Sequence, residues 1–152
     1  MPQSLAQVYV HIVFATKNRA MWLCDADVNR QLYAYMATVL RDNVDSPALL
    51  INGVEDHIHA LVRLSRRFPI MDVIKMAKTE TTKWLKRQSS VGVGFAWQSG
   101  YGAFSVSASQ VDAVTRYISD QMQHHSQVSF QDEFRQLCRL HGVELDERYA
   151  WD

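Results

Sequence analysis

The stretch Val54-Glu55-Asp56-His57-Ile58-His59-Ala60-Leu61-Val62-Arg63-Leu64 carries two imidazoles one residue apart. Side chains alternate between the faces of a β-strand, so Ile58, Ala60, Val62 and Leu64 point one way and His57, His59, Leu61 and Arg63 the other. The apolar set accounts for the strand, because it can be buried in a core. Two histidines side by side on the opposite face are not needed for that, and their type and spacing suit two ligands of one metal ion. A pair is too few for a site, so a further ligand must come from elsewhere in the chain.

Three alternating histidines would mark a histidine-triad nucleotide hydrolase; Leu61 in the third place excludes that. Later in the chain, Tyr117 and Gln121 lie one helical turn apart and so share a face. Taken alone, such a tyrosine is a half-buried packing residue and such a glutamine is surface filling. His124 and His125 read as the polar end of the same helix, while His11 is a weak candidate for the histidine face.

The elements that must position these groups follow from periodicity. Val8 to Thr16 alternates Val8, Val10, Ile12 and Phe14 against Tyr9, His11 and Val13, which predicts a strand, and Thr16-Lys17-Asn18-Arg19 leaves it as a basic loop. A helix is expected from Asp25 or Asp27 to Arg41, then a turn cluster over 42–47, a short strand from Ala48 to Asn52, a turn at Gly53 and the histidine strand, the last two pairing as a hairpin. Pro69 opens a second helix with Ile70, Val73, Ile74, Ala77, Trp84 and Leu85 as its buried stripe. Phe95-Ala96-Trp97 and Tyr101 to Ser107 read as another strand pair. Ser109-Gln110-Val111-Asp112 resembles a capping box opening the tyrosine helix, about 109–125, and Ser129 caps a last helix that Gly142 ends after His141. A polar tail over 143–152 follows, with Tyr149 and Trp151 as anchors. This order predicts one domain over 1–152: an α+β, ferredoxin-like or RRM-like sandwich, an antiparallel sheet with helices packed on one face and the histidines on the open face.

Composition narrows the setting. Hydrophobic residues are 47% and charged residues 21%, as in an ordinary globular chain, and no apolar run reaches the ~20 residues of a membrane span. The start, Met1-Pro2-Gln3-Ser4, lacks a signal peptide's features, so a cytoplasmic protein with no membrane partner is expected. Cys24 and Cys138 stand far apart, which argues against thiolate zinc and predicts buried, reduced thiols. Formal net charge is zero, yet residues 61–90 hold Arg63, Arg66, Arg67, Lys75, Lys78, Lys83, Lys86 and Arg87 against Asp72 and Glu80. Such asymmetry is either a solvated helix face or a footprint for phosphates.

His57-Ile58-His59, together with Tyr117-Ile118-Ser119-Asp120-Gln121 and His124-His125, resembles the signature of the single-tyrosine HUH transposases, the small bacterial insertion-sequence enzymes and their REP-associated relatives. The likeness extends through the N-terminal strand, Thr16-Lys17-Asn18-Arg19, Gly53-Val54-Glu55-Asp56 and the run from Phe95 to Val106, nearly the whole chain. It implies a divalent-metal endonuclease and strand transferase on single-stranded DNA, whose tyrosine attacks a backbone phosphate, forms a 5′-phosphotyrosine link and frees a 3′-hydroxyl. Carried over by motif, Tyr117 is the nucleophile and His57, His59 and Gln121 are the ligands of Mg2+ or Mn2+. Three neutral ligands would leave the ion's full charge for the phosphate. Lys17, Arg19, Arg63, Lys75 and Lys78 are the candidate phosphate contacts; Tyr9 and Trp97 are aromatic enough to stack bases but suit the core better. The resemblance further implies DNA hairpins as substrate and a homodimer whose active site is completed in trans. Two rival readings share these residues: a domesticated module that binds a DNA or RNA hairpin without cleavage, and a rolling-circle-type nickase.

Overall fold

The computed structural model describes residues 3–152; Met1 and Pro2, part of the start read above, lie outside them. Strand β1 (Tyr9–Ala15) leads through a 3-10 turn (Lys17–Arg19) to helix α1 (Ala26–Val44), then β2 (Ala48–Gly53), β3 (His57–Arg63), α2 (Ile70–Lys86) and β4 (Gly102–Val106). Three helices finish the chain: α3 (Val111–Ser119), the single turn α4 (Gln121–His124) and α5 (Phe130–His141). The sheet order is β2-β3-β1-β4 with every neighbour antiparallel. That is the split βαβ arrangement expected of an α+β sandwich.

Local signals account for most boundaries. Asp25 accepts from the amides of Asp27 and Val28 and so caps α1. Pro69 precedes α2, and the Ser129 hydroxyl accepts from the Asp132 amide at the start of α5. Gly142, with φ 66°, takes the left-handed conformation that ends α5. Val10, Ile12 and Phe14 of β1 and Ile58, Ala60 and Val62 of β3 form one buried face, packed against Leu32, Met36 and Leu40 of α1 and Val73, Ala77 and Leu85 of α2.

The other face is not open, contrary to expectation. Val13, Ala15 and Phe104 meet Phe130, Phe134, Leu137 and Cys138 of α5, while Leu61 and Val106 meet Ile118 of α3. The reason lies in the strands: both faces of β1 and β3 carry apolar side chains, and the half around the histidines must also be covered. The amphipathic stripe of α5 supplies that cover.

Five local expectations also change. Ser109 caps nothing; the chain enters α3 through a 3-10 turn (Ala108–Gln110), in which Ser107 and Ser109 hydroxyls bond each other. The tyrosine helix breaks at Asp120 (φ −93°, ψ 15°) into α3 and α4. Phe95-Ala96-Trp97 makes one bridge, Thr16 to Trp97, because the Gln98 side chain takes the amide of Ala15 and Lys78 Nζ holds the carbonyls of Gln98 and Gly100 at 2.8 and 2.7 Å. Cys138 is buried as expected, but Cys24 is exposed. Trp151 anchors the tail over Phe130 and Phe134, whereas Tyr149 is exposed. No described helix is long and apolar enough to cross a membrane.

Gly53 closes the hairpin that presents His57: a Cβ there would lie 2.4 Å from the His57 carbonyl oxygen. Gly53→Ala is therefore expected to cost about 1–3 kcal/mol of stability, read as a lower urea midpoint at unchanged slope.

Candidate metal and tyrosine site

The β1–β3 register sets Val13 opposite His59 and Ala15 opposite His57. These small partners leave room above the strands, and both histidines are fully buried beneath α4 and α5. Three further groups converge on them. His125 follows α4, Glu133 comes from the buried stripe of α5, and Tyr117 stands near the end of α3. Asn52, opposite His59 on β2, donates to the Ile118 carbonyl at 2.9 Å and so ties down the end of α3 beside Tyr117.

Glu133 Oε1 lies 2.9 Å from His59 Nε2, 2.9 Å from His125 Nε2 and 3.3 Å from His57 Nε2. The partners of the other ring nitrogens fix the tautomers. His57 Nδ1 is 2.7 Å from Asp56 Oδ1 and His125 Nδ1 is 2.6 Å from the Val128 carbonyl, so each carries a proton there and donates it. Their Nε2 atoms, 3.0 Å apart, therefore present lone pairs to each other and to the carboxylate unless a positive charge lies between them. His59 Nδ1 bonds His11 Nε2 at 2.8 Å, a pairing that permits either tautomer of His59.

The titration shifts follow. Burial pushes His59 down to about 4 and His11 to about 3. Burial opposes charge on His57 as well, but the hydrogen bonds to Asp56 and Glu133 outweigh it and raise its pKa. Glu133 is lifted by burial and pulled much further down by His125, His57 and His59, so it is ionised. The Tyr117 hydroxyl donates to Glu133 Oε2, and burial with the neighbouring carboxylate pushes its pKa far up.

The set fits a divalent cation. One ligand atom from each of His57, His59, His125 and Glu133 falls within 4.8 Å of the others. Asp56 and the Val128 carbonyl hold imidazole N–H groups in the way that outer partners orient metal-bound histidines. Gln121, fully buried, donates through Nε2 to Glu133 Oε2 at 3.3 Å, while its amide oxygen has no partner among the described residues. An unpaired buried carbonyl costs ~1–3 kcal/mol, and a cation would satisfy it.

Tyr117, His57, His59 and Gln121 are thus assembled within one chain, with the tyrosine ring centroid 5.8 Å from that of His59. Lys17 is exposed, and Arg19 lies 6.0 Å from the Trp151 ring. Arg63 is exposed at the end of β3 remote from His57. Lys75 and Lys78 belong to α2, across the sheet; Lys75 is exposed, whereas Lys78 is engaged with backbone carbonyls and lowered by burial to about 8. Sequence reading missed His125 and Glu133 as ligand donors. Glu133 had a signal, an acid within the apolar stripe Phe130, Phe134 and Leu137; His125 had none beyond its neighbour His124.

The structure is similar to a REP-associated tyrosine transposase bound to a REP hairpin, with a TM-score of 0.60 and 11% identity over 84% of this chain and 74% of that one. It is also similar to a candidate transposase from Deinococcus radiodurans R1, with a TM-score of 0.53 and 22% identity over 80% of this chain and 95% of that one. At these identities the likenesses speak for the fold. No curated protein matches the sequence. The model of the IS200-like transposases matches residues 4–121, which include the histidine pair, the tyrosine and Gln121, and the chain belongs to that family.

Proposed function

We propose that this protein is a metal-dependent single-stranded DNA transposase that cuts and rejoins strands through a 5′-phosphotyrosine intermediate on Tyr117, and that it recognises DNA hairpins. The observation that carries the reading is the contact of the Tyr117 hydroxyl with Glu133, whose other oxygen lies among three imidazole nitrogens. Hairpin recognition is supported by the fold shared with the hairpin-bound tyrosine transposase.

His57, His59, His125 and Glu133, with the Gln121 amide oxygen beside them, would hold the ion. A bound divalent cation would polarise a phosphate oxygen and offset the negative charge that builds up in the transition state. Three imidazoles favour manganese over magnesium in affinity, and Glu133 replaces the expected wholly neutral ligand set with one that carries a negative charge.

Tyr117 supplies the nucleophile. With the phenol pKa raised and the Glu133 carboxyl lowered, the proton stays on Tyr117 at rest. As the Oη–P bond forms and the P–O3′ bond breaks, phenol acidity rises and Glu133 Oε2 is placed to take the proton. The departing 3′-oxygen takes a proton in turn and becomes a hydroxyl. The phosphotyrosine ester keeps a phosphoester bond for a second DNA end to attack. The short reach from Tyr117 to the histidines of its own chain supports assembly in cis rather than the trans arrangement expected from the family resemblance. Lys17 and Arg19 remain the basic candidates for phosphate contact, and a homodimer joined elsewhere is compatible with a site in cis.

Incubation of a hairpin oligonucleotide with manganese is expected to give a covalent protein–DNA band on a denaturing gel. Tyr117→Phe should abolish the band; tight binding without an adduct under any metal would leave a binding module instead. Manganese at a hundredfold excess over Kd should raise Tm by about 5–10 °C in wild type and in Tyr117→Phe, and chelation should reverse the shift. Asp56→Ala is expected to weaken metal binding about 10–100-fold, measured by titration calorimetry. Mixing Tyr117→Phe with His57→Ala should restore no adduct if the site is built in cis, whereas recovery would establish exchange between subunits.

A further inference from the structure

A cavity of about 970 Å³ opens between α3 and α5 over β4, and Tyr117 and Glu133 form part of its wall. We infer that this cavity binds the unpaired nucleotides flanking the scissile phosphate and discriminates among their bases. The inference rests on Tyr117 being the nucleophile, as proposed above.

Position is the first argument. His57, His59, Gln121 and Glu133 are buried, so a phosphate approaching the site meets the half-buried Tyr117 where it lines this cavity, with the Glu133 carboxylate behind it. Size is the second. The volume lies at the upper end of the ~300–1,000 Å³ range of pockets that enclose a small ligand, room for a nucleotide or two and not for a duplex.

The lining chemistry is the third argument. Gln110 from the turn before α3 and Gln136 from α5 both line the cavity, and a carboxamide offers the donor and acceptor pair that reads a base edge. His141 also lines the cavity and is stacked on Phe104 with centroids 4.9 Å apart and planes 26° apart, which braces a flat ring for a base to stack upon. Leu140, 78% exposed, adds apolar surface at the same wall. His11 is buried in the floor, and its hydrogen bond among the described residues is to His59 through Nε2, which leaves Nδ1 for whatever fills the space. Arg139 gives the wall a cation for the DNA backbone. Gln136, Arg139, Leu140 and His141 all lie beyond the residues that the family model matches, so one wall of the cavity belongs to this chain's C-terminal helix.

Two measurements test the inference. In the first, hairpin oligonucleotides with randomised flanking nucleotides are offered to wild type, Gln110→Ala and Gln136→Ala, and the DNA in the covalent adducts is sequenced. A base preference at one or two flanking positions that falls about tenfold in at least one variant supports the site. Identical preferences in all three proteins overturn it. In the second, binding of unpaired tetranucleotides is followed by fluorescence anisotropy for wild type and for Ala113→Trp, which fills the cavity from α3, with circular dichroism confirming the fold. Loss of tetranucleotide binding by at least tenfold in the folded variant supports the site. Equal binding in the two proteins, or none in wild type, overturns it. If wild type forms no adduct but Ala113→Trp still loses tetranucleotide binding, the tyrosine reading fails and the cavity's role in binding stands.

Discussion

Two imidazoles with no solvent exposure, set on a strand beside a buried carboxylate, form an arrangement that survives only if every polar atom around it is answered. Much of this fold can be understood from that constraint. Asp56 answers His57 from the turn before β3, His11 answers His59 from the neighbouring strand, and the Val128 carbonyl answers His125 from the loop before α5. Small residues on β1, Val13 and Ala15, leave the space into which Glu133 descends. The apolar stripe of α5 closes over the same strands, so the packing that stabilises the C-terminal helix also delivers its acid to the histidines.

Glu133 sets the electrostatics of the site. One oxygen faces the imidazole nitrogens and the other accepts a hydrogen bond from the phenol, so the tyrosine and the histidine cluster are linked through a single side chain. An ion among the nitrogens would draw charge from the carboxylate and weaken its hold on the tyrosine proton. On the proposed reading, the phenol would sense ligation through one carboxylate. The amide oxygen of Gln121, without a partner among the described residues, lies in the same neighbourhood, and a positive charge placed there would satisfy it.

What could be read from the sequence was mostly local. Alternation over residues 54–64 placed His57 and His59 on one side of a strand, and a proline, a serine and a glycine marked the ends of α2 and α5, because each of these signals acts within a turn of itself. The tyrosine and glutamine at helical spacing were correctly read as neighbours. The family resemblance, with a fold to match, tied them to the distant histidines. What stayed hidden depended on partners far away in the chain. Glu133 meets His59 across 74 residues, and nothing near it in sequence says so beyond its place in an apolar stripe. The break at Asp120 coincides with carbonyls held by Asn52, a contact across 66 residues, and Ser109 lost its capping role to a tighter turn. The covered face of the sheet was foreshadowed by Val13 and Leu61 but read as open, because strand periodicity shows which side chains share a face and not what lies over them.

The division of labour along the chain has a consequence of its own. The strands, the histidine pair, the tyrosine and Gln121 all lie within residues 4–121, while His125 and Glu133 arrive on a later segment fastened mainly by phenylalanines and a tryptophan. Because Glu133 reaches the histidines on helix α5, a change at its phenylalanine contacts would displace the acid while the strand that carries His57 and His59 keeps its own partners in the sheet. In a molecule built this way, the group that sets the charge around the histidines is separable from the strands that carry them.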